Sequence, residues 1–207
     1  MHIPKFDILT QIPVMEHFYT IQGEGAYSGN AAYFIRLAGC DVGCVWCDVK
    51  ESWQIEENEI LNIDALIQQM VKYPFKIVVI TGGEPLIYDL NPLTNALKER
   101  GYHINIETSG AYPPSGKLDW ICLSPKKFKA PLPEMVSMAH ELKVIVYNKS
   151  DLKWAQGFVK KTSNNCRLYL QPEWSNQNKM MPQIIDFVKE NPIWRISLQT
   201  HKYLNIP

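Results

Sequence analysis

Three cysteines lie close together in the first quarter of the chain, Cys40, Cys44 and Cys47, with the spacing C-x3-C-x2-C. A structural zinc ion needs four protein ligands, and neither a second cysteine pair nor a nearby histidine completes such a set. Three thiolates on a four-iron cluster leave one iron without a protein ligand, and that iron can bind a substrate or cofactor. The spacing therefore favours a catalytic iron–sulfur cluster. The two isolated cysteines, Cys122 and Cys166, are interpreted as small core residues.

Composition narrows the class of protein. The 207 residues include 21 Lys and Arg against 21 Asp and Glu, so the formal net charge is zero. This balance disfavours a large polyanionic partner such as nucleic acid or an anionic membrane. The odd count of five cysteines argues against a disulfide framework. No apolar run reaches the ~18 residues of a membrane span, and the first residues lack a signal-peptide pattern, so we expect a cytoplasmic location.

Short apolar segments alternate with helical patterns along the chain. Strands are predicted at 31–37, 76–80, 104–108, 120–123, 142–146, 167–171 and 193–198. Helices are predicted after an N-cap at Asn62, from a cap at Asn91 to Gly101, and near 151–160 and 182–190. Five prolines between positions 110 and 140 predict no helix there.

This alternation predicts the α/β fold class. We expect about six parallel strands bent into an incomplete parallel (β/α) barrel with fewer crossover helices than usual, in a single domain of residues 1–207. Polar segments, three of them with glycine, follow the C-terminal ends of the predicted strands, where such folds place their active sites. These segments are the cysteine loop, 81–85, 108–110, 124–126, 171–172 and 199–202.

The order of these segments resembles one family. The C-x3-C-x2-C spacing is the hallmark of the radical S-adenosylmethionine enzymes, and the wider match is to the 7-carboxy-7-deazaguanine synthases. The matching segments span nearly the whole chain: 18–25 (FYTIQGEG), 34–40 (FIRLAGC), 81–85 (TGGEP), 107–110 (ETSG), 124–126 (SPK) and 199–202 (QTHK), with Pro207 at the end. Single tripeptides of this kind are weak signals, but the ordered set is very specific.

The resemblance implies a radical enzyme of 7-deazapurine biosynthesis, on the route to the modified tRNA base queuosine or a related product. It implies a [4Fe–4S] cluster in a loop at 38–49, S-adenosylmethionine on the open iron, and a magnesium ion. A 5′-deoxyadenosyl radical would take hydrogen from C6 of 6-carboxy-5,6,7,8-tetrahydropterin. Ring contraction and ammonia loss would then give 7-carboxy-7-deazaguanine. The partners would be this small pterin and an electron donor such as flavodoxin or ferredoxin. Independently of the resemblance, the small incomplete barrel leads us to expect a homodimer.

The same resemblance assigns a cofactor site. Gly83 and Glu84 would hold the methionyl amino group of S-adenosylmethionine, although a lone Gly-Gly pair is equally typical of an ordinary turn. Lys126 would contact the cofactor, although lysines on loops are more often solvated. The residues expected at this site are Trp46, Asp48, Gly83, Glu84, Ser109, Ser124, Pro125, Lys126, Gln171 and Pro172.

On the substrate side, two-residue alternation puts Arg36 on the strand face opposite Ile35 and Leu37. The resemblance implies that Arg36 binds the substrate carboxylate in a forked pair; the alternative is an exterior arginine paired with a helix carboxylate. Glu24 and nearby backbone groups would read the guanine-like edge of the ring. The expected substrate residues are Ile21, Gln22, Gly23, Glu24, Arg36, Thr81, His201 and the terminal carboxylate of Pro207.

One residue departs from the family pattern. The family usually has Cys-Asp-Thr after the last cluster cysteine, with the threonine hydroxyl on magnesium, whereas this chain has Val49 after Cys47 and Asp48. Valine offers no oxygen, and Mg²⁺ demands oxygen ligands, so the use of magnesium is in question.

Two other functions remain open at this point. A radical activase that takes hydrogen from a glycine of a partner protein also has a short chain and the same cysteine spacing, but it needs an open groove for a polypeptide. A non-catalytic zinc or iron–sulfur interaction module would be identified by its colour and metal content.

Overall fold

The computed structural model describes residues 3–56 and 59–207. These residues contain one mixed sheet with the strand order β3-β1-β2-β4-β5-β6-β7-β8-β9. Strands β2 and β4 to β9 run parallel, and β1 is antiparallel to both β2 and β3. The strands are β1 (Gln11–Ile21), β2 (Ala31–Leu37), β3 (Ile60–Asn62), β4 (Ile77–Gly82), β5 (His103–Thr108), β6 (Trp120–Leu123), β7 (Glu141–Val146), β8 (Arg167–Pro172) and β9 (Trp194–Ile196).

The predicted α/β class with an open, incomplete barrel in one domain is confirmed. Seven strands of the described chain are parallel, against about six predicted. Strand β1 was not predicted, because Pro13 and a register shift between Val14 and Glu16 obscure its two-residue alternation. Strand β3 is only three residues long, and it carries no clear pattern of its own.

Helices cover the outer face of the sheet. They are α1 (Ile63–Met70), α2 (Asn91–Glu99), α3 (Pro133–Met138), α4 (Ser150–Gln156) and α5 (Gln177–Glu190). A last short helix, α6 (Thr200–Leu204), follows β9 and borders the inner side of the sheet instead. The predicted N-cap is confirmed, since Asn62 Oδ1 accepts a hydrogen bond from the Ala65 N–H at 3.0 Å. In all described residues, no helix is both long and apolar enough to cross a bilayer.

Three helix predictions need correction. The stretch 110–140 does contain a helix, α3, because Pro133 occupies its first turn, where a missing N–H costs nothing. Asn91 lies inside α2 rather than capping it, and Asp89 Oδ1 accepts from the Asn91 N–H at 3.0 Å. Helix α5 begins five residues before the predicted start, at Gln177, and Pro182 lies within it.

The two faces of the sheet differ in chemistry because side chains alternate along each strand. The outer face is apolar and fully buried under the helices; Ile80, Ile106, Leu142 and Leu170 are each 0% exposed. The opposite, inner face carries a polar or charged residue from nearly every parallel strand. These inner residues are Arg36, Thr81, Glu107, Lys143 and Gln171.

Candidate active site

A cavity of about 260 Å³ lies at the C-terminal ends of the parallel strands. It brings together all but one of the residues predicted for the cluster, the cofactor and the substrate. The exception is Pro125, which is buried but does not line the cavity. The predicted residues that line it are Ile21, Gln22, Gly23, Glu24, Arg36, Cys40, Cys44, Trp46, Cys47, Asp48, Thr81, Gly83, Glu84, Ser109, Ser124, Lys126, Gln171, Pro172, His201 and Pro207.

The cysteine loop is anchored by a glycine pair at the end of β4, Gly82 and Gly83. A Cβ on Gly83 would lie 2.1 Å from the Gly39 carbonyl oxygen and 2.8 Å from Cys40 Cβ. The Glu84 N–H donates to the Gly39 carbonyl at 2.9 Å, and Gly82 has a φ of +135°. The two glycines are therefore required for close packing of the TGGEP segment against the start of the cysteine loop.

The three cysteines of the motif border the same cavity. Burial raises the pKa of Cys40, and it raises the pKa of Cys44 to about 11 against the opposing charge of Lys126. Iron binding would therefore displace thiol protons. In 3–56 and 59–207, no three His, Cys, Asp or Glu side chains converge on one metal ion. A four-iron cluster puts each thiolate on a different iron, so sulfurs that border one cavity, without meeting at a point, fit that larger group.

Glu84 is the most fully bonded carboxylate at this site. It is 1% exposed and accepts from the Leu86 N–H at 3.1 Å, the Ser109 N–H at 2.8 Å, Thr108 Oγ1 at 2.5 Å and the Ser109 hydroxyl. A buried carboxylate of this kind joins the loops after β4 and β5. Its oxygens are mainly engaged in holding the walls of the cavity together.

Lys126 lies beside the cysteine loop. Its Nζ donates to Ser124 Oγ at 2.7 Å and lies 5.3 Å from the centroid of the Trp46 ring. Burial lowers the pKa of Lys126, and the neighbouring Cys44 opposes that shift. The Gln171 side chain is fixed by a hydrogen bond, because its Oε1 accepts from the Ser197 hydroxyl at 2.7 Å.

Arg36 faces the cavity, as the alternation of β2 predicts. Its Nε donates to Glu16 Oε1 at 2.6 Å on the neighbouring strand β1, so its nearest carboxylate is on a strand and not on a helix. Its Nη groups have no hydrogen-bond partner in the described residues. Thr81 is the register partner of Arg36 on β4 and lines the cavity beside it.

The same cavity contains a buried ionic cluster that sequence reasoning missed. Lys143 Nζ contacts Glu24 Oε2 and, at 3.0 Å, Glu107 Oε2. Gln199 Nε2 donates to Glu24 at 2.9 Å, and Gln22 Nε2 donates to Glu107 at 2.8 Å. The sequence does contain a signal for it, because Lys143 is a charged residue at an inward-facing position of an apolar strand, as Arg36 is.

The chain end borders the same cavity. A Cβ on Gly23 would lie 2.3 Å from His201 Nδ1, so only glycine allows this approach. Burial lowers the pKa of His201, which favours a neutral imidazole at pH 7. The Pro207 carbonyl oxygen accepts from Thr20 Oγ1 at 3.2 Å.

The residue that stands where the family pattern has a magnesium-binding threonine cannot bind magnesium through its side chain. Val49 lines the cavity and has no side-chain oxygen. The neighbouring Asp48 carboxylate already accepts from Lys202 Nζ at 3.1 Å, and that ammonium lies 5.0 Å from the Trp174 ring centroid. A cation from the protein is therefore bound to the carboxylate that precedes Val49 in the chain.

This arrangement agrees with comparisons to known proteins. The Radical SAM superfamily model matches residues 34–123, which include the end of β2, the cysteine loop and β3 to β6. The 7-carboxy-7-deazaguanine synthase of Flavobacterium psychrophilum is 55% identical over 95% of this chain and 93% of its own length. The synthase of Synechocystis sp. is 46% identical over 98% of each chain. A crystal structure of QueE from Escherichia coli superposes with a TM-score of 0.82 at 31% identity, covering 91% of this chain and 93% of that one.

The fold and the cysteine-lined cavity define a radical S-adenosylmethionine enzyme. The family implies a [4Fe–4S] cluster and S-adenosylmethionine as its cofactors. Because identity reaches 55% over nearly the whole chain, the chain belongs to the 7-carboxy-7-deazaguanine synthase family.

Proposed function

We propose that this enzyme converts 6-carboxy-5,6,7,8-tetrahydropterin to 7-carboxy-7-deazaguanine and ammonia, for a pathway to queuosine or a related 7-deazapurine. The observation that carries the proposal is the charge pattern of the cavity. A free guanidinium edge at Arg36 and carboxylates at Glu24 and Glu107 lie in one cavity with the three cysteines. That pattern matches a small heterocycle with a carboxylate at one end and N–H donors at the other.

The cofactors would supply the radical, and the residues of the chain would hold the cofactors and the substrate in place. When bound, the cluster and S-adenosylmethionine supply a 5′-deoxyadenosyl radical that takes the C6 hydrogen atom of the substrate. Cys40, Cys44 and Cys47 would hold the cluster within the loop 38–49. The cofactor residues proposed are Trp46, Asp48, Gly83, Glu84, Ser109, Ser124, Pro125, Lys126, Gln171 and Pro172, with Pro125 acting from behind the cavity wall.

Arg36 would orient the substrate. Its Nε is already engaged by Glu16, which holds the guanidinium plane in place and leaves the Nη edge for a carboxylate. Glu24 would accept hydrogen bonds from the N–H edge at the other end of the ring. The other proposed substrate contacts are Ile21, Gln22, Gly23, Thr81, His201 and Pro207.

We further propose that no side chain of this enzyme holds a magnesium ion. Val49 offers no oxygen, and the ammonium of Lys202 lies on Asp48 beside it. The Lys202 ammonium, bound to the Asp48 carboxylate of the cavity lining, would supply positive charge toward an anionic substrate without a metal.

The partners proposed are a one-electron donor protein such as flavodoxin or ferredoxin and a second copy of this chain. The reaction needs an external electron to reduce the cluster, and a small incomplete barrel has sheet edges that a partner can cover. Residues 1–207 would act as one radical SAM domain in the cytoplasm, without direct contact with nucleic acid.

An anaerobic turnover assay tests the function. Reconstituted, reduced enzyme with S-adenosylmethionine and the tetrahydropterin should form 7-carboxy-7-deazaguanine and equal amounts of ammonia. Formation of 5′-deoxyadenosine without this product would contradict the substrate assignment. Protein that binds stoichiometric zinc and shows no iron-dependent activity would indicate an interaction module instead.

A further inference from the structure

Lys143 is the most enclosed cation of the cavity. Its side chain is 3% exposed, whereas the carboxylates that it contacts are 14% exposed at Glu24 and 21% exposed at Glu107. The two acids come from different parts of the fold, the segment after β1 and the strand β5, while Lys143 lies on β7. One buried ammonium thus joins three elements, and the two carboxylates are the more accessible partners.

The remaining oxygens of the two acids are also held. Glu24 Oε1 accepts from Gln199 at 2.9 Å, and Glu107 Oε1 accepts from Gln22 at 2.8 Å. Each carboxylate is therefore fixed by one ammonium and one amide, with lone pairs left for a ligand. The ion cluster has a net charge of −1, so it favours a ligand edge made of N–H donors over one made of acceptors.

We propose that Lys143 is a positioning residue for substrate selection: it holds the Glu24 and Glu107 carboxylates side by side as hydrogen-bond acceptors, so that the cavity selects rings with an amino group and ring N–H on one edge. This inference rests on the proposed function. Without a cation between them, two enclosed carboxylates disfavour joint ionisation, and a protonated acid presents a donor where the substrate also has one.

The electrostatic surroundings support this role. Burial raises the pKa of Glu24, but the charge of Lys143 outweighs burial and lowers the pKa to about 2. The other titratable groups that act on Lys143 are Glu141 and Cys122, and Lys126 is the nearby cation. Lys143 therefore keeps the Glu24 carboxylate ionised at neutral pH.

The test compares Lys143→Met with Lys143→Arg, and Lys98→Met is the matched control because Lys98 pairs with Asp119 away from the cavity lining. Equilibrium binding is measured on cluster-loaded, unreduced enzyme with S-adenosylmethionine present. The two probes are the tetrahydropterin and its analogue without the 2-amino group. Wild type and Lys98→Met should prefer the natural ring by roughly 10- to 100-fold, the usual value of a hydrogen bond to a charged group.

In Lys143→Met this preference should fall to within about threefold, and Lys143→Arg should restore part of it. The acid limb of kcat/KM should also move to higher pH in Lys143→Met, because Glu24 loses its counter-charge. An unchanged preference for the tetrahydropterin over its analogue in a folded Lys143→Met variant would overturn the proposal. If Lys143→Met fails to fold, the double variant Lys143→Met with Glu107→Gln replaces it, because the second change removes the excess negative charge. A wild-type preference for the natural ring in the double variant would also overturn the proposal. Wild type that forms no product would instead contradict the proposed function, so the two failures are distinguishable.

Discussion

The ammonium of Lys202 donates a hydrogen bond to the carboxylate of Asp48 at 3.1 Å, although 154 positions separate the two residues. Helix α6 thereby closes onto the cysteine loop at the mouth of the cavity. The contact places an ammonium on the carboxylate that precedes Val49, the residue that stands where the family pattern has threonine.

We expect activity without added magnesium as a result. Wild type assayed with a chelator should keep most of the kcat/KM that it has with Mg²⁺, whereas Val49→Thr should gain stimulation by the metal because it gains an oxygen ligand. Val45→Thr is the matched control, since it makes the same change in the same loop at a side chain that is 68% exposed. Equal and strict metal dependence of wild type and Val49→Thr would contradict this prediction.

Arg36→Met should impair substrate use more than folding. Loss of a charge pair with the substrate should lower kcat/KM by the equivalent of roughly 2–5 kcal/mol, while iron content and melting temperature stay near wild type. Arg195→Met on strand β9, at an exposed position, provides the control and should be neutral. A variant that unfolds while its soluble remainder turns over normally would show that Arg36 is structural.

Removal of the cluster cysteines should abolish the cluster. Each of Cys40→Ala, Cys44→Ala and Cys47→Ala should reduce bound iron well below the about four irons per chain expected for a [4Fe–4S] cluster, and activity should be lost. Cys166→Ala should keep both, because that thiol lies outside the cavity lining. Full iron binding in any of the three cluster variants would exclude that cysteine as a ligand.

Gly83→Ala should disturb the cluster without any change in a ligand. The new Cβ would lie 2.1 Å from the Gly39 carbonyl oxygen, and the backbone beside Cys40 would have to shift. Iron content after anaerobic reconstitution should fall severalfold, since ligand geometry is strict. Gly157→Ala is the control, because its Cβ would meet nothing closer than 3.1 Å. Wild-type iron content in Gly83→Ala would show that the loop adapts.

Local signals predicted much of the fold and of the site. The bounds of β2 and the cap at Asn62 follow from apolar pattern and from a side chain that bonds its own helix start, so they need no distant partner. The pairing of Arg36 with Glu16 did not follow, because it depends on β1, whose pattern is broken by Pro13 and a register shift.

By itself, the sequence determined the chemistry that is present: three thiols at cluster spacing, a glycine-rich segment after each of several strands, and valine in place of threonine at position 49. Those properties belong to residue types and short spacings. Only the tertiary structure decided which charges meet, because Lys143, Glu24 and Glu107 lie on elements whose neighbours are set by the order of strands in the sheet. Ion pairs between residues so far apart in the sequence cannot be predicted from local patterns, because the partners meet only after the strands have assembled into the sheet.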